Sequence, residues 1–567
     1  MGNAKQRDMS GDKLRIAFLI GRDDGGTQAA IAQVCALDGV ETVAVLWDTA
    51  VPSRKQRWRN LKKNLRQEGW SYLFYRALGA LRAKLESWAD RVIPQAEVED
   101  LLLRAFPERS LEVLAKRYGF RIYQPGNLNG PDAIECLRGV GADLGVVMGT
   151  RVLKRGIFSV PRLGCINVHK GQVPDYRGTP PGFWEMYDGR DTAGVTIHFV
   201  DDGLDTGDVV ATCSIPIHPR ETPESLHRKL DLAGEQLLVS AIRDMRQGIA
   251  GRQPQPAGGP KARTRPTRAQ TRELARRLPH WRKLTDGRMA IKIAFWLAVY
   301  HSGCYRLLRG TRRGKSRGAI LLYHRVNDVS EDVLTASTRR FAEHLITLRH
   351  FYRVVPTGDL VERIAQGTPI PATSVAIHFD DCYRDVRTCA AELLGAAGLP
   401  ATAFVSSGFV DTERVFHHDR DKSPHRFENF RTQDLRELGG LGVEVAAHTV
   451  NHVDLGTITL EQAQVEVEQS RRELEQLLAH PVLLFSFPFG GIRNIREEVR
   501  DMVRSSGYRA LFSAHGGFID ADTKIWDIPR LGASSDHSAL ALLMELEGIS
   551  PLQFRYWLRK RFGKSRA

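Results

Sequence analysis

The feature that most constrains this chain is GRQPQPAGGPKARTRPTRAQ at 251–270, set between two separate runs of strand and helix signals. A stretch so rich in Pro, Gly and Arg cannot continue a central strand or a long helix, and it reads as a flexible boundary. It divides 567 residues, too many for one ordinary core, into two blocks. In the first, LRIAFLI (14–20) and TVAVLW (42–47) read as buried strands around a helix at 28–37. Alternation resumes at DLGVVMG (143–149), GCINVH (164–169), GVTIHFV (194–200) and DVVATCSIPI (208–217), and a helix at 223–247 closes the block. The second opens at AILLYHRV (319–326), with strands near 374–379, 401–405, 443–447 and 483–487. Strands alternating with helices make the fold class α/β in both.

Net charge is +15, and 18 Lys or Arg against Glu273 and Asp286 place +16 of it between 251 and 320. The rest is near neutral, so the overall charge is no argument for nucleic-acid binding. Seven cysteines without a CxxC pair point to a reducing compartment. The first apolar run, Ile16–Ile20, is a strand rather than a secretory core, and Gln6 breaks the myristoylation pattern after Met-Gly, so a cytoplasmic setting is expected. Residues 55–92 are basic and aromatic-rich, and read as helices covering the first sheet or as a face for a membrane or partner. AIKIAFWLAVYHSGCYRLL (290–308) is too short and polar to span a bilayer. With Arg306, Arg309, Arg312, Arg313, Lys315 and Arg317 behind it, it reads either as an interfacial helix on anionic lipid or as a docking helix of the second block.

In the first block, Asn167 and His169 are two apart on a strand end and share one face. Asp205 follows in a Gly-flanked turn, GLDTGD (203–208). Acyl transfer to an amine needs donors for a developing oxyanion and a group to manage the amine proton, and Asn, His and Asp supply these. The strings GCINVHKGQVPDYRGTPPGFW and TAGVTIHFVDDGLDTGDVV resemble the 10-formyltetrahydrofolate-dependent formyltransferase family, which includes enzymes acting on methionyl-tRNA, on glycinamide ribonucleotide and on sugars. The resemblance implies a Rossmann-like domain over 1–250 and catalytic Asn167, His169 and Asp205. It also implies 10-formyltetrahydrofolate as formyl donor, with Arg177 and Gly178 as cofactor-binding positions in the loop bordering the site. Lys170 stands where the family has Pro or Ser, so substrate choice is expected to differ. The barrel that follows in the tRNA enzyme is not seen after 250, which favours an amino sugar over tRNA.

In the second block, Asp380 and Asp381 end the strand SVAIHF, and His448 and His452 are spaced i, i+4, as on one side of a helical turn. One Asp with two His makes a metal site with open positions, and the other Asp is free as a base. YHRV, HFDD, HTVNH and FSFPFG, in that order, resemble the polysaccharide deacetylase family. This implies a distorted (β/α) barrel over 318–545, Asp380 as base, a divalent ion such as Zn²⁺ on Asp381, His448 and His452, and His515 as general acid. His378, Cys382 and Ser486 depart from the family pattern, and Arg530 is a candidate for the positive charge lost at Ser486. Between the two domains a basic linker with the apolar helix is expected at 251–317, and a basic tail at 546–567.

Together these point to a bifunctional enzyme that deacetylates an N-acetyl sugar and formylates an amino sugar. The expected substrate is a nucleotide- or lipid-linked precursor of a surface polysaccharide or lipopolysaccharide, with peripheral contact at the inner face of an anionic membrane. The alternatives are a membrane-associated glycan deacetylase acting on a separate substrate, or a second domain degenerated into a carbohydrate-binding scaffold.

Overall fold

The computed structural model describes residues 13–549 apart from 52, 69, 257–258, 282–285, 304–316, 331, 421–422 and 536. The chain forms two compact units: Met1–Tyr75 with Phe106–Arg282, and Arg76–Ala105 with Lys283–Ala567.

The first unit is built on β1 (Leu14–Ile20), β2 (Val40–Trp47), β3 (Arg121–Tyr123), β4 (Leu144–Met148), β5 (Cys165–His169), β6 (Thr192–Phe199) and β7 (Val209–Pro216), in the order β3-β2-β1-β4-β5-β6-β7. The first five are parallel, with Phe18 opposite both Val45 and Val146, whereas β6 and β7 return antiparallel. Ile16, Phe18 and Ile20 enter one core with Ile31 and Leu238, and Ala17 and Leu19 enter another with Leu137 and Ile157. Burial on both faces is what a continuous apolar strand requires. The helix Gly25–Cys35 starts where Asp24 accepts from the Thr27 N–H, and Pro223–Arg246 starts at a Thr222–Ser225 capping box.

The Pro- and Arg-rich stretch is not a flexible boundary, and the first unit extends past 250 to Arg282. Gln253 bridges Val209 at the sheet edge, and Arg263 bridges Gly178. The helix Arg268–Arg277 buries Leu274 among Phe183, Trp184 and Leu226. Trp184 donates its indole N–H to the Thr264 carbonyl at 3.0 Å, and the Arg263 guanidinium lies 5.0 Å from the Trp184 ring centre. Proline forbids a central strand but not an extended segment on an edge, and this segment's arginine finds an aromatic face.

The 55–92 stretch also departs from the expectation that it covers the first sheet: residues 76–105 belong to the second unit. Leu85 and Ala89 join a buried cluster with Ile293, Trp296, Leu297, Leu540 and Leu543. Asp90 pairs with Arg340 at 2.9 Å, Glu99 with Arg339 at 2.8 Å, and Arg104 donates to the Ala396 carbonyl at 2.6 Å. Of the apolar segment at 290–308, the residues up to His301 belong to the helix Asp286–His301, which docks on this cluster. Among the described residues, no helix is long and apolar enough to cross a membrane. Arg306, Arg309, Arg312, Arg313 and Lys315, and the tail from 550, lie outside the described residues.

The second unit carries β8 (Ala319–Tyr323), the short pair β9 (Arg325–Val326) and β10 (Thr335–Ala336), β11 (Arg353–Val354), β12 (Ser374–Phe379), β13 (Ala401–Val405), β14 (Val443–Ala447), β15 (Leu484–Ser486), β16 (Ala510–Phe512) and β17 (Leu531–Gly532). A parallel sheet runs β16-β15-β14-β13-β12-β8-β17, with β11 also on β12. A bridge from Phe512 to Ile528 draws the two edges together into a distorted barrel. Ile320, Ala376, Phe404, Ala446 and Leu484, one each from β8, β12, β13, β14 and β15, form one core with Ala510 and Phe512 of β16. His378 lies in the same interior, 4.9 Å from the rings of Phe404 and Phe512, with Nε2 on Thr357 Oγ1 at 2.9 Å. This departure from the family pattern is a core histidine.

Trp296→Ala removes a large side chain from the cluster that ties 76–105 to the second unit. It is expected to cost about 3–5 kcal/mol, read as a lower denaturant midpoint for that unit. An unmoved midpoint would contradict the docking.

Candidate functional sites

In the first unit, the antiparallel pairing of β5 with β6 sets Asn167 opposite His198, with Asn167 Nδ2 3.3 Å from His198 Nε2. His169, two residues on, donates Nε2–H to the Tyr176 carbonyl at 2.7 Å and turns Nδ1 toward Asp205 Oδ2 at 3.5 Å. Asp205 has a positive φ of 56°, and its other oxygen is 3.6 Å from His198 Nε2. The structure thus brings Asn167, His169 and Asp205 together, and adds His198. Burial opposes charge on Asp205, but His198, His169 and the Gly178 N–H outweigh it and hold its pKa below the ordinary carboxylate value. Burial lowers the His169 pKa, and Asp205 offsets this only in part.

Arg177 and Gly178 border this centre by backing it. The Gly178 N–H donates to Asp205 Oδ2 at 3.0 Å. Gly178 has φ +91°, and a Cβ there would lie 2.2 Å from the Arg263 carbonyl oxygen, so the contact requires glycine. The buried Arg177 guanidinium donates to Gln255 Oε1 at 2.6 Å. Gln255 in turn donates to the carbonyls of Asp205 at 3.1 Å and Gly207 at 2.7 Å. The supposed linker therefore pins the Asp205 turn. Lys170 forms an ion pair with Asp231 and approaches His227 Nε2 at 3.4 Å.

In the second unit, Asp380 and Asp381 lie just beyond β12 and face different partners. Arg530 grips Asp380 with two bonds of 2.7 Å, and Ser486 Oγ reaches the same carboxylate at 3.3 Å. Burial would raise the Asp380 pKa, but Arg530 reverses this and the group stays ionised. Asp381, at φ +80°, turns to the histidines: Oδ1 lies 3.0 Å from His452 Nε2 and 3.6 Å from His448 Nε2, and Oδ2 lies 3.5 Å from His418 Nε2. Burial opposes its charge, yet His452 foremost holds its pKa well below the usual range.

His448 and His452 are not on a helix. They occupy the loop after β14, where Thr449 and His452 take positive φ values of 63° and 53°. Two left-handed residues fold the loop back, so the rings converge at 5.1 Å without helical spacing. His448 Nδ1 bonds the Ser486 carbonyl at 2.9 Å, which leaves Nε2 free to face Asp381. That arrangement is usual for a metal-ligating histidine. The fit to a metal is supported by a buried carboxylate oxygen without a hydrogen-bond partner, Asp381 Oδ2. The most compact donor group is Asp381, His418 and His452, all within 4.8 Å, so His418 stands closer than the expected trio allowed. His515 bonds Asp527 at 3.0 Å, and this contact first of all raises its pKa.

Sequence reasoning missed His198, which the β5–β6 register places opposite Asn167. Nothing in the spacing of Gln255 or His418 marks either residue. Gln255→Ala removes the side chain that ties the Asp205 turn to Arg177. It is expected to lower turnover at the first centre by about ten- to a hundredfold, the equivalent of about 1–3 kcal/mol, with the second centre unaffected. Equal turnover by wild type and variant would contradict the pinning role.

The formyl transferase family matches residues 73–242, and the polysaccharide deacetylase family matches 368–511. The methionyl-tRNA formyltransferase of Geotalea uraniireducens is 37% identical over 133 residues, covering 23% of this chain and 42% of that protein. That of Halorhodospira halophila is 38% identical over 146 residues, 26% of this chain and 47% of that protein. The chain thus spans less than half the length of these relatives. Among solved structures, the Streptococcus pyogenes deacetylase PplD in complex with acetate is 18% identical, covering 41% of this chain and 98% of that one, at a TM-score of 0.35. Glycinamide ribonucleotide transformylase 1 from Symbiobacterium toebii is 20% identical, covering 43% of this chain and 94% of that one, at a TM-score of 0.29. With these matches falling on the two centres just described, the chain joins a formyl transferase domain to a polysaccharide deacetylase domain, both of enzyme families.

Proposed function

We propose that this chain removes the acetyl group from an N-acetyl sugar and formylates an amino sugar, on a nucleotide- or lipid-linked precursor of a surface glycan. The observation that carries the reading is the pairing itself. Amide hydrolysis at one centre liberates an amine, and formyl transfer at the other consumes one.

At the first centre, the sugar amine attacks the formyl carbon of 10-formyltetrahydrofolate. A C–N bond forms, the bond to the folate nitrogen breaks, and tetrahydrofolate leaves. Asn167 donates to the developing oxyanion. The expectation that His169 shares this task meets a constraint, because its Nε2–H is held by Tyr176. Its Nδ1 faces Asp205, which suits the pair to receive the amine proton. The region around Lys170 and Asp231 is where acceptor choice would be set.

At the second centre, Asp381, His448 and His452 would hold a divalent ion such as Zn²⁺, which supplies Lewis acidity and a water of lowered pKa. Asp380, kept ionised by Arg530, takes a proton from the attacking water. His515, paired with Asp527, gives a proton to the departing nitrogen as the amide C–N bond breaks and acetate leaves. A second reading puts this step on a lipid-linked glycan at an anionic membrane. Ile291 and Phe295, 73% and 58% exposed on the helix Asp286–His301, favour it.

The test is a mass-spectrometric assay of the full chain with amino and N-acetylamino nucleotide sugars, 10-formyltetrahydrofolate and Zn²⁺. Asp380→Asn is expected to abolish acetate release while keeping formyl transfer, and Asn167→Ala the reverse. Formylation of methionyl-tRNA, with no nucleotide sugar deacetylated or formylated, would contradict the sugar reading.

A further inference from the structure

His418 stands in the second centre without a part in the reaction above. It sits on a short helical turn, His417–Arg420, whose Asp419 is clamped by Arg325 at 2.8 and 2.9 Å and by the Tyr383 hydroxyl at 2.5 Å. Charge-assisted bonds to a buried carboxylate fix the turn and the direction of the neighbouring ring. Phe416 stacks on that ring, with centroids 5.6 Å apart at 27°. His418 Nε2 thereby faces Asp381 Oδ2 at 3.5 Å, and that oxygen is buried with no hydrogen-bond partner. The opposite oxygen is already met by His452 at 3.0 Å and His448 at 3.6 Å.

A buried oxygen acceptor without a partner and an imidazole nitrogen facing it at 3.5 Å leave room for a cation between them. Donors held at ~2.0–2.1 Å by one ion lie ~3–4 Å apart. The Asp381, His418 and His452 atoms, all within 4.8 Å, need only a small contraction. The Tyr383 hydroxyl is 2.8 Å from His418 Nε2 but gives its own proton to Asp419, so coordination costs His418 a single hydrogen bond.

We propose that His418 is a fourth protein ligand of this centre, joining Asp381, His448 and His452. The proposal rests on the second centre being a metal site. One carboxylate with three imidazoles favours Zn²⁺, Co²⁺ or Ni²⁺ over Mg²⁺ and Mn²⁺, and leaves fewer positions for water and substrate than three ligands do.

The full chain, stripped of metal, would be titrated with Zn²⁺ against a chromophoric chelator, and with Co²⁺ followed by its visible spectrum. His418→Ala is expected to weaken Zn²⁺ binding by at least about tenfold and to shift the Co²⁺ bands. His418→Gln, which fills the space and can keep the Tyr383 bond, is expected to do the same. His417→Ala, at the exposed neighbour, is expected to leave the bands in place. Unchanged affinity and spectrum in both His418 variants overturn the proposal and leave a three-ligand centre standing. Wild type that takes up neither ion overturns the metal reading itself.

Discussion

A carboxylate buried at the end of a β-strand is unstable as an anion unless donors or cations meet it. Both centres are organised around that requirement. Asp205 is met by the Gly178 N–H, His169 and His198, Asp380 by Arg530, and Asp381 by histidines. His198 is near Asp205 in sequence, but Gly178 and Arg530 reach their carboxylates from 27 and 150 residues away. Gly178 can approach Asp205 because glycine tolerates the backbone of Arg263 against it. Arg530 reaches Asp380 because β17 pairs with β8 and Ile528 bridges Phe512. The segment that pairs with β8 and bridges β16 is therefore also the one that carries Arg530 to Asp380. The cost of separating Arg530 from Asp380 is that of an unpaired buried charge, about 3–5 kcal/mol.

The chain does not run through its two units in order. Residues 76–105 leave the first to bury Leu85 and Ala89 in the second, and residues 251–282 remain with the first. The second crossing matters for chemistry, since Gln255 holds the Asp205 turn. A cut at residue 250 would remove that support from the first unit while keeping Asn167, His169 and Asp205 on the same piece of chain.

The local part of this architecture was legible in sequence. Apolar runs such as LRIAFLI marked the buried strands, and Asn167, His169 and Asp205 stood out because the strings around them resemble the formyltransferase family. Asp380 and Asp381 were equally visible at a strand end. What escaped depends on packing between residues far apart. Composition made 251–270 look flexible, because the rings and carbonyls that receive its side chains are remote in sequence. The i, i+4 spacing of His448 and His452 suggested a helix, but two positive-φ residues produce the same convergence in a loop. His418 carries no spacing signal, since its place depends on the Arg325–Asp419 ion pair. His378 looked like a damaged catalytic motif and is a packed core residue.

The central claim is that one molecule passes through both centres, losing acetyl and gaining formyl. The direct measurement gives the full chain an N-acetylamino nucleotide sugar carrying ¹⁵N, with ¹³C-labelled 10-formyltetrahydrofolate, and follows the products by mass spectrometry and NMR. The expected product retains the ¹⁵N, carries ¹³C-formyl on it, and forms alongside one acetate per formyl group. Acetate release without label transfer, or formylation only of amines added from outside, would contradict the claim.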